Sequence, residues 1–260
     1  MPADLMLPAG TLFAFLLVLA RIGGAFVFVP LPGMSAGPEP VRAFLAVAFT
    51  VALYPAWPPA IAVSSAPGLL LALAGEAAFG LTAGVAVAFL TEMLLVATQI
   101  LGLQAGYSYA SAIDPTTEAD SNVLLVFAQL ISGLLFFALG LDREILRVFA
   151  RSLAAFPPGS YVAKLSSAGA LIGLGAGMFS TGLRLAMPVI VLLMLVDIAL
   201  ALMGRLHQQL QLLTLAFPAK MLASLAFLAA ISALFLPVYR GAAAETVSTL
   251  FRLLSGAHGG

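Results

Sequence analysis

The sequence predicts an all-α, polytopic membrane protein of about six hydrophobic helical segments, and three observations carry that prediction. Of its 260 residues 62% are hydrophobic and 8% are charged, against roughly 45–50% and about 25% in a soluble domain. The apolar residues gather in runs close to the ~20 residues a helix needs to cross a bilayer core about 30 Å thick. Basic and acidic side chains balance at 11 each, which excludes both a nucleic-acid footprint and a polybasic membrane-surface face. Membrane lipid and other apolar protein remain as partners. Cysteine is absent, which removes disulfides, thiolate nucleophiles, Cys-based zinc sites and iron–sulfur clusters.

The first segment runs from about Thr11 to Val29 with Arg21 inside it. Its N-terminal flank holds Asp4 and no Lys or Arg, so no signal peptide is expected and the first helix is expected to be retained. The second starts after Arg42 and reaches Tyr54, where Pro55, Pro58 and Pro59 end it; it is short enough to dip into the membrane without crossing. Gly68 to Leu103 is long enough for one steeply tilted helix or two broken ones, marked by Glu76 and Glu92. Asn122 to Leu141 is uncharged. Leu165 to Gly204 is expected to divide near Arg184 and Pro188, with Asp197 beyond, and the last segment runs from Pro218 to Leu236.

Basic residues in short connections set the orientation. Asp142 to Lys164 carries Arg143, Arg147, Arg151 and Lys164, and Arg240 and Arg252 follow the last segment. The connection from Gln104 to Ser121 holds Asp114, Glu118 and Asp120 and no base. Six spans then place both termini in the cytoplasm and the acidic loop opposite. Arg143, Arg147 and Arg151 recur every four residues and share one helical face, read as a solvated or headgroup-contacting surface.

Small residues describe the packing. Gly169, Gly173 and Gly177, continued by Thr181, form a groove that another helix backbone can approach, and Gly80 with Gly84 repeats the spacing. Arg21, Glu76, Glu92, Arg184 and Asp197 each cost about 2.5–3.5 kcal/mol at a helix centre, so they must face protein or water. Internal pairing is favoured over an ion path, because carboxylates and bases do not recur at the spacing of a proton relay.

Apparent catalytic motifs fail on context. Gly33-Met34-Ser35-Ala36-Gly37 spells the nucleophile-elbow pattern but lies in a Pro-rich connection between apolar helices, and the histidines are His207 and His258, the latter in a Gly-rich tail. Gly173-Leu174-Gly175-Ala176-Gly177-Met178 lacks the third glycine and preceding strand of a dinucleotide fingerprint. No enzyme, cofactor or metal site is expected. The stretch from Gly102 to Ser121, containing Gly106, Tyr107, Ser108, Tyr109, Ala110, Ser111, Ala112, Ile113, Asp114 and Pro115, combines flexible small residues with bulky tyrosines and an Asp-Pro turn. It suits a pore-occluding loop or an ordinary surface connection equally.

The order of residues from about Thr11 to Leu236 resembles the FliR/SctT family, flagellar biosynthetic and type III secretion export-apparatus membrane proteins. The resemblance rests on Arg21 and Pro30; Pro40-Val41-Arg42 and Pro55; Glu76, Gly80 and Gly84; Gly102-x-Gln104-x-Gly106 with Asp114-Pro115; Phe136-Phe137 and Gly140; Ser152, Pro157 and Gly159; Leu183-Arg184-Leu185-Ala186-Met187-Pro188-Val189; and Arg205, Gln209, Phe217, Pro218 and Lys220. Departures are Gln208 for a proline, Gln211 for an asparagine, Leu213 for a phenylalanine, Ala216 for a glycine and Asp142 where a histidine is common.

The resemblance implies a non-enzymatic export-gate subunit of kinked helix hairpins in the bacterial inner membrane. It implies a single membrane domain: a FliP-like part over 11–160 with a central loop at 102–121, a FliQ-like hairpin over 161–240, and a cytoplasmic tail over 241–260. The loop from Gly106 to Pro115 would plug the closed channel. Arg21, Glu76, Gly80, Gly84, Gly169, Gly173, Gly177, Arg184, Pro188, Arg205, Gln209 and Pro218 would serve assembly and packing. FliP-like and FliQ-like subunits, an FlhB-like switch protein and unfolded proteins in transit would be partners, with no nucleic acid. The alternatives are a small ion-coupled secondary transporter using Glu76, Glu92 and Asp197, and, remotely, an intramembrane hydrolase built on Ser35.

Overall fold

The computed structural model describes residues 9–29, 39–57, 65–107, 123–161, 165–206 and 212–255. Within them the regular structure is helical: α1 (Ala9–Phe28), α2 (Glu39–Ala52), α3 (Ala66–Ala105), α4 (Val123–Ala138), α5 (Leu141–Ala155), α6 (Leu165–Leu206), α7 (Leu212–Ile231) and α8 (Phe235–Ser255). Short 3-10 turns occupy Tyr54–Ala56 and Ser232–Leu234.

About six spans were expected. Among the described residues four stretches are long and apolar enough to cross a bilayer: Gly10–Phe28, Ala66–Ala105, Ala168–Arg205 and Pro218–Leu253. A fifth arises if α4 and α5, bent by 62°, count as one span. The bend falls at Gly140, whose φ is 66°. With 14 residues α2 is about 21 Å long, short of a ~30 Å core. The region from Gly68 to Leu103 lies within one 40-residue helix. Glu76 and Glu92 do not interrupt it, because a charged side chain leaves the backbone ladder intact.

The division expected at Arg184 and Pro188 is also absent, for α6 runs 42 residues through Pro188. Proline removes one hydrogen bond, whereas ending the helix at membrane depth would strand several backbone groups. The final apolar stretch, expected to stop at Leu236, continues to Leu253. At 1.5 Å per residue α3 and α6 are each about 60 Å long, twice the hydrocarbon thickness.

The chain forms two compact units interleaved along the sequence: 1–89, 136–175 and 243–260 in one, 90–135 and 176–242 in the other. In the first, α1 and α3 approach backbone to backbone. A Cβ on Gly80 would collide with the Arg21 carbonyl oxygen and one on Gly84 with that of Ala25, while one on Gly24 would lie 2.6 Å from the Ala77 carbonyl oxygen. Arg42 donates from Nη1 to the Val27 carbonyl at 2.5 Å, covering the C-terminal end of α1 where a cation is favoured. The rings of Phe26 and Phe49, 5.1 Å apart, complete the α1–α2 contact. Leu17, Val18, Ile22, Val148 and Leu153 are fully buried.

In the second unit Leu90, Met93, Leu101, Ala186, Val189, Leu193 and Tyr239 are buried. Gly182 lets α6 meet α3 closely, since its Cβ would lie 2.5 Å from the Met93 carbonyl oxygen. In the first unit, the groove expected at Gly169 and Gly173 has nothing among the described residues within 4 Å of an added Cβ at either.

These surroundings give the two kinds of glycine opposite signs. Gly80→Ala should destabilise the detergent-solubilised chain by about 1–3 kcal/mol through overpacking. Gly169→Ala should gain up to about 1 kcal/mol of helix propensity. Denaturation midpoints of the two variants check this, and equal losses at both positions contradict the packing described.

Candidate functional site

A buried polar cluster joins residues far apart in sequence, all in the first unit. Arg21, near the middle of α1, is wholly inaccessible, as is Glu76 on α3. Arg21 Nε donates to Glu76 Oε2 at 2.5 Å, Nη1 to Ser152 Oγ at 3.0 Å, and Nη2 to the Phe156 carbonyl at 2.9 Å. Ser152 in turn donates to the Phe149 carbonyl at 2.7 Å. The other Glu76 oxygen accepts from the Gly159 backbone N–H at 2.7 Å.

Gly159 reaches that position with φ at 91°, in the left-handed region where a Cβ is disfavoured. The guanidinium carbon lies 4.9 Å from the Phe79 ring centre. Phe79 packs edge-on against Tyr161 at 5.0 Å and Phe149 at 6.5 Å. Each charged group therefore has a counter-charge and neutral hydrogen-bond partners, the condition for holding an ion pair away from water.

A second polar cluster lies in the other unit. Lys220 Nζ stands 2.8 Å from Asp197 Oδ1 and donates to Oδ2 at 3.0 Å, and Gln104 Nε2 donates to the same Oδ2 at 3.2 Å. Gln104 is in the last turn of α3. After that turn Gly106 takes φ 84°, Gly106 N–H donates to the Leu103 carbonyl and Tyr107 N–H to that of Gly102, a Schellman stop. The Tyr107 hydroxyl donates to the Met221 carbonyl at 3.4 Å. The root of the central loop is thus tied to α6 and α7.

The structure places the expected residues unevenly. Arg21 and Glu76 meet, and Gly80 and Gly84 adjoin them. Arg184 and Pro188 are on the exposed face of α6, and Arg205 and Pro218 are exposed. Arg143, Arg147 and Arg151 are exposed along α5; Arg147 pairs with Glu144 at 2.5 Å and Arg151 lies 5.2 Å from the Phe251 ring centre. Gly106 and Tyr107 are described, whereas Ser108 to Pro115 and Gln209 lie outside the described residues, as do Ser35, His207 and His258.

Gly24, the Phe156 carbonyl and Gly182 were not singled out from sequence. A backbone carbonyl leaves no sequence signal, and single glycines give a weak one in a chain with 24 of them. Ser152 and Gly159 entered through the family pattern alone.

An apolar cleft of about 280 Å3 between α1, α2 and α5, lined by residues such as Phe26, Phe49 and Leu146, has Asp142 as its one ionisable lining residue. Among the described residues no group of three or more His, Asp or Glu stands ready for a metal ion.

Apolar helices as long as or longer than a bilayer is thick, with the charges Arg21–Glu76 and Lys220–Asp197 paired internally, define a multi-pass helical membrane protein. More particularly, the chain belongs to the bacterial export proteins, family 1, whose family model matches residues 12–246. It is 28% identical over 238 residues to the flagellar biosynthetic protein FliR of Escherichia coli (strain K12), covering 91% of each chain. The FliR of Caulobacter vibrioides is 27% identical over 215 residues, 82% of this chain and 86% of that protein. The FliR of Bacillus subtilis (strain 168) is 27% identical over 256 residues, 93% and 95% respectively.

Removing one partner of the first cluster strands the other. Arg21→Met should cost about 3–5 kcal/mol by leaving Glu76 uncompensated, while the double variant Arg21→Met/Glu76→Met recovers most of the loss. Thermal unfolding in detergent measures both, and a double variant as unstable as the single one refutes the pairing account.

Proposed function

We propose that the chain is a structural, pore-forming subunit of the type III protein-export gate of the bacterial flagellum, carrying no catalysis of its own. The observation that carries this is the family match over residues 12–246, supported by similarity to flagellar FliR proteins along almost the whole of each chain. The chain is a multi-pass protein of the bacterial inner membrane. Unfolded exported proteins pass through an assembly that it forms with FliP-like and FliQ-like subunits, contacted by an FlhB-like switch protein. Energy for movement comes from elsewhere in the apparatus.

The loop from Gly106 to Pro115 closes the resting channel in this reading. Its support is the fixed root: a helix stopped at Gly106 and a Gln104–Asp197–Lys220 cluster beside it. The basic connection containing Arg143, Arg147 and Arg151 faces the cytoplasm, following the bias of Lys and Arg toward that side. Ion-coupled transport is disfavoured because Glu76 and Asp197 are already engaged by Arg21 and Lys220.

Purification of the tagged full chain in mild detergent should recover a stable complex with other membrane subunits of the export apparatus, identified by mass spectrometry. A chain isolated alone and active in liposomes overturns the reading. Deleting Gly106 to Ile113 should leave the complex assembled and raise its ion conductance in planar bilayers; unchanged conductance removes the plug role.

A further inference from the structure

The exposed side of α6 within the second unit combines groups that neither lipid nor water accommodates. Phe179, Leu183, Met187, Val191, Leu195 and Ile198 are exposed along it, with Phe179 and Leu195 each 57% accessible. Arg184 stands exposed among them near the midpoint of this 42-residue helix. Arg21 has Glu76 and Lys220 has Asp197, but no ion pair or hydrogen bond of the Arg184 side chain exists among the described residues. Glu92 is exposed on α3 next to Met93, whose carbonyl adjoins Gly182, yet no ion pair joins Glu92 to Arg184.

Pro188 adds a second polar defect at the same level. Lacking an N–H, it removes the ordinary helical donor to the carbonyl four residues earlier, which is that of Arg184. A cation and a carbonyl deprived of its usual helical donor therefore fall at one turn of the helix. In hydrocarbon each needs a partner. Exposed apolar side chains continue for more than one turn on both sides of Arg184. The exposed neighbours of Arg184 named above are apolar, which suits contact with another apolar helix.

We propose that this face of α6 is a docking surface for an apolar membrane helix of another subunit, which carries a carboxylate at the depth of Arg184. The inference deepens the export-gate reading and rests on it. The carboxylate accepts from the guanidinium, the apolar residues above and below pack against the incoming helix, and the contact excludes water from the pair. Such an ion pair fixes the axial register of two otherwise featureless apolar helices, since sliding by one turn separates the charges.

The test measures recovery of the assembled complex, by native gel and mass spectrometry, for the full-length chain carrying Arg184→Lys, Arg184→Leu or Arg184→Glu. Lys should retain most assembly; Glu should reduce it by about tenfold or more, because two carboxylates then meet out of water. A carboxylate-to-lysine change in the partner helix should restore assembly of the Glu variant. Protease resistance of each variant before assembly separates docking from misfolding. The native chain has no cysteine, so Met187→Cys gives a clean probe, expected to be shielded from a water-soluble maleimide once the complex forms.

Assembly of Arg184→Leu at the unaltered level overturns the proposal. So does rescue of the Glu variant by Glu92→Arg in the same chain alone, or rapid labelling of Cys at position 187 in the complex, which would mark a water-lined wall. Failure of the unaltered chain to recover any partner overturns the export-gate reading itself, a distinguishable result.

Discussion

The guanidinium of Arg21 sits in the middle of an apolar helix with no access to water, and the first unit is organised around what that charge requires. Its partners come from α3, from α5 and from the segment after α5. An arginine buried without compensation costs several kcal/mol, so these elements are held together by the penalty for separating them. The pair contributes little net stability when it replaces hydration of similar strength. Its effect is to specify: carboxylate, hydroxyl and carbonyl fit one register of α1 on α3 and on α5.

The glycines make that register sterically accessible. Gly80 and Gly84 bring α3 so close to α1 that the Arg21 and Ala25 carbonyl oxygens occupy the space of the missing side chains. Without this approach the short Glu76 side chain would stand away from Arg21 Nε. Lipid tails give apolar helices no hydrophobic reason to associate, so close backbone contact and buried polar bonds carry the packing between them. In the second unit Gly182 against Met93 and Asp197 with Lys220 and Gln104 apply the same two devices.

Much apolar surface remains uncovered. Leu71, Leu134, Ile172 and Leu222 are each exposed by more than two thirds, and α3 and α6 are about twice as long as a bilayer core is thick. A chain that assembles with other apolar subunits leaves such faces for them. This accounts for internal charge pairs and unfilled external surface in one molecule.

Composition and hydropathy by themselves determined the class of this protein: apolar runs of the required length admit only helices in lipid, and Arg21, Glu76 and Asp197 had to find polar company. The ends of the helices were less legible. Pro188 read as an interruption because sequence patterns register a local defect, whereas the continuous backbone ladder on either side outweighs it. Which charge meets which was settled by tertiary structure alone. Arg21 and Glu76 are 55 residues apart, and the carbonyl of Phe156 and the backbone N–H of Gly159 that complete their site are main-chain groups, which no side-chain pattern announces. Helix periodicity describes the face a residue occupies on its own helix, but bringing two faces together depends on steric fit between whole helices, a property of the folded chain in three dimensions.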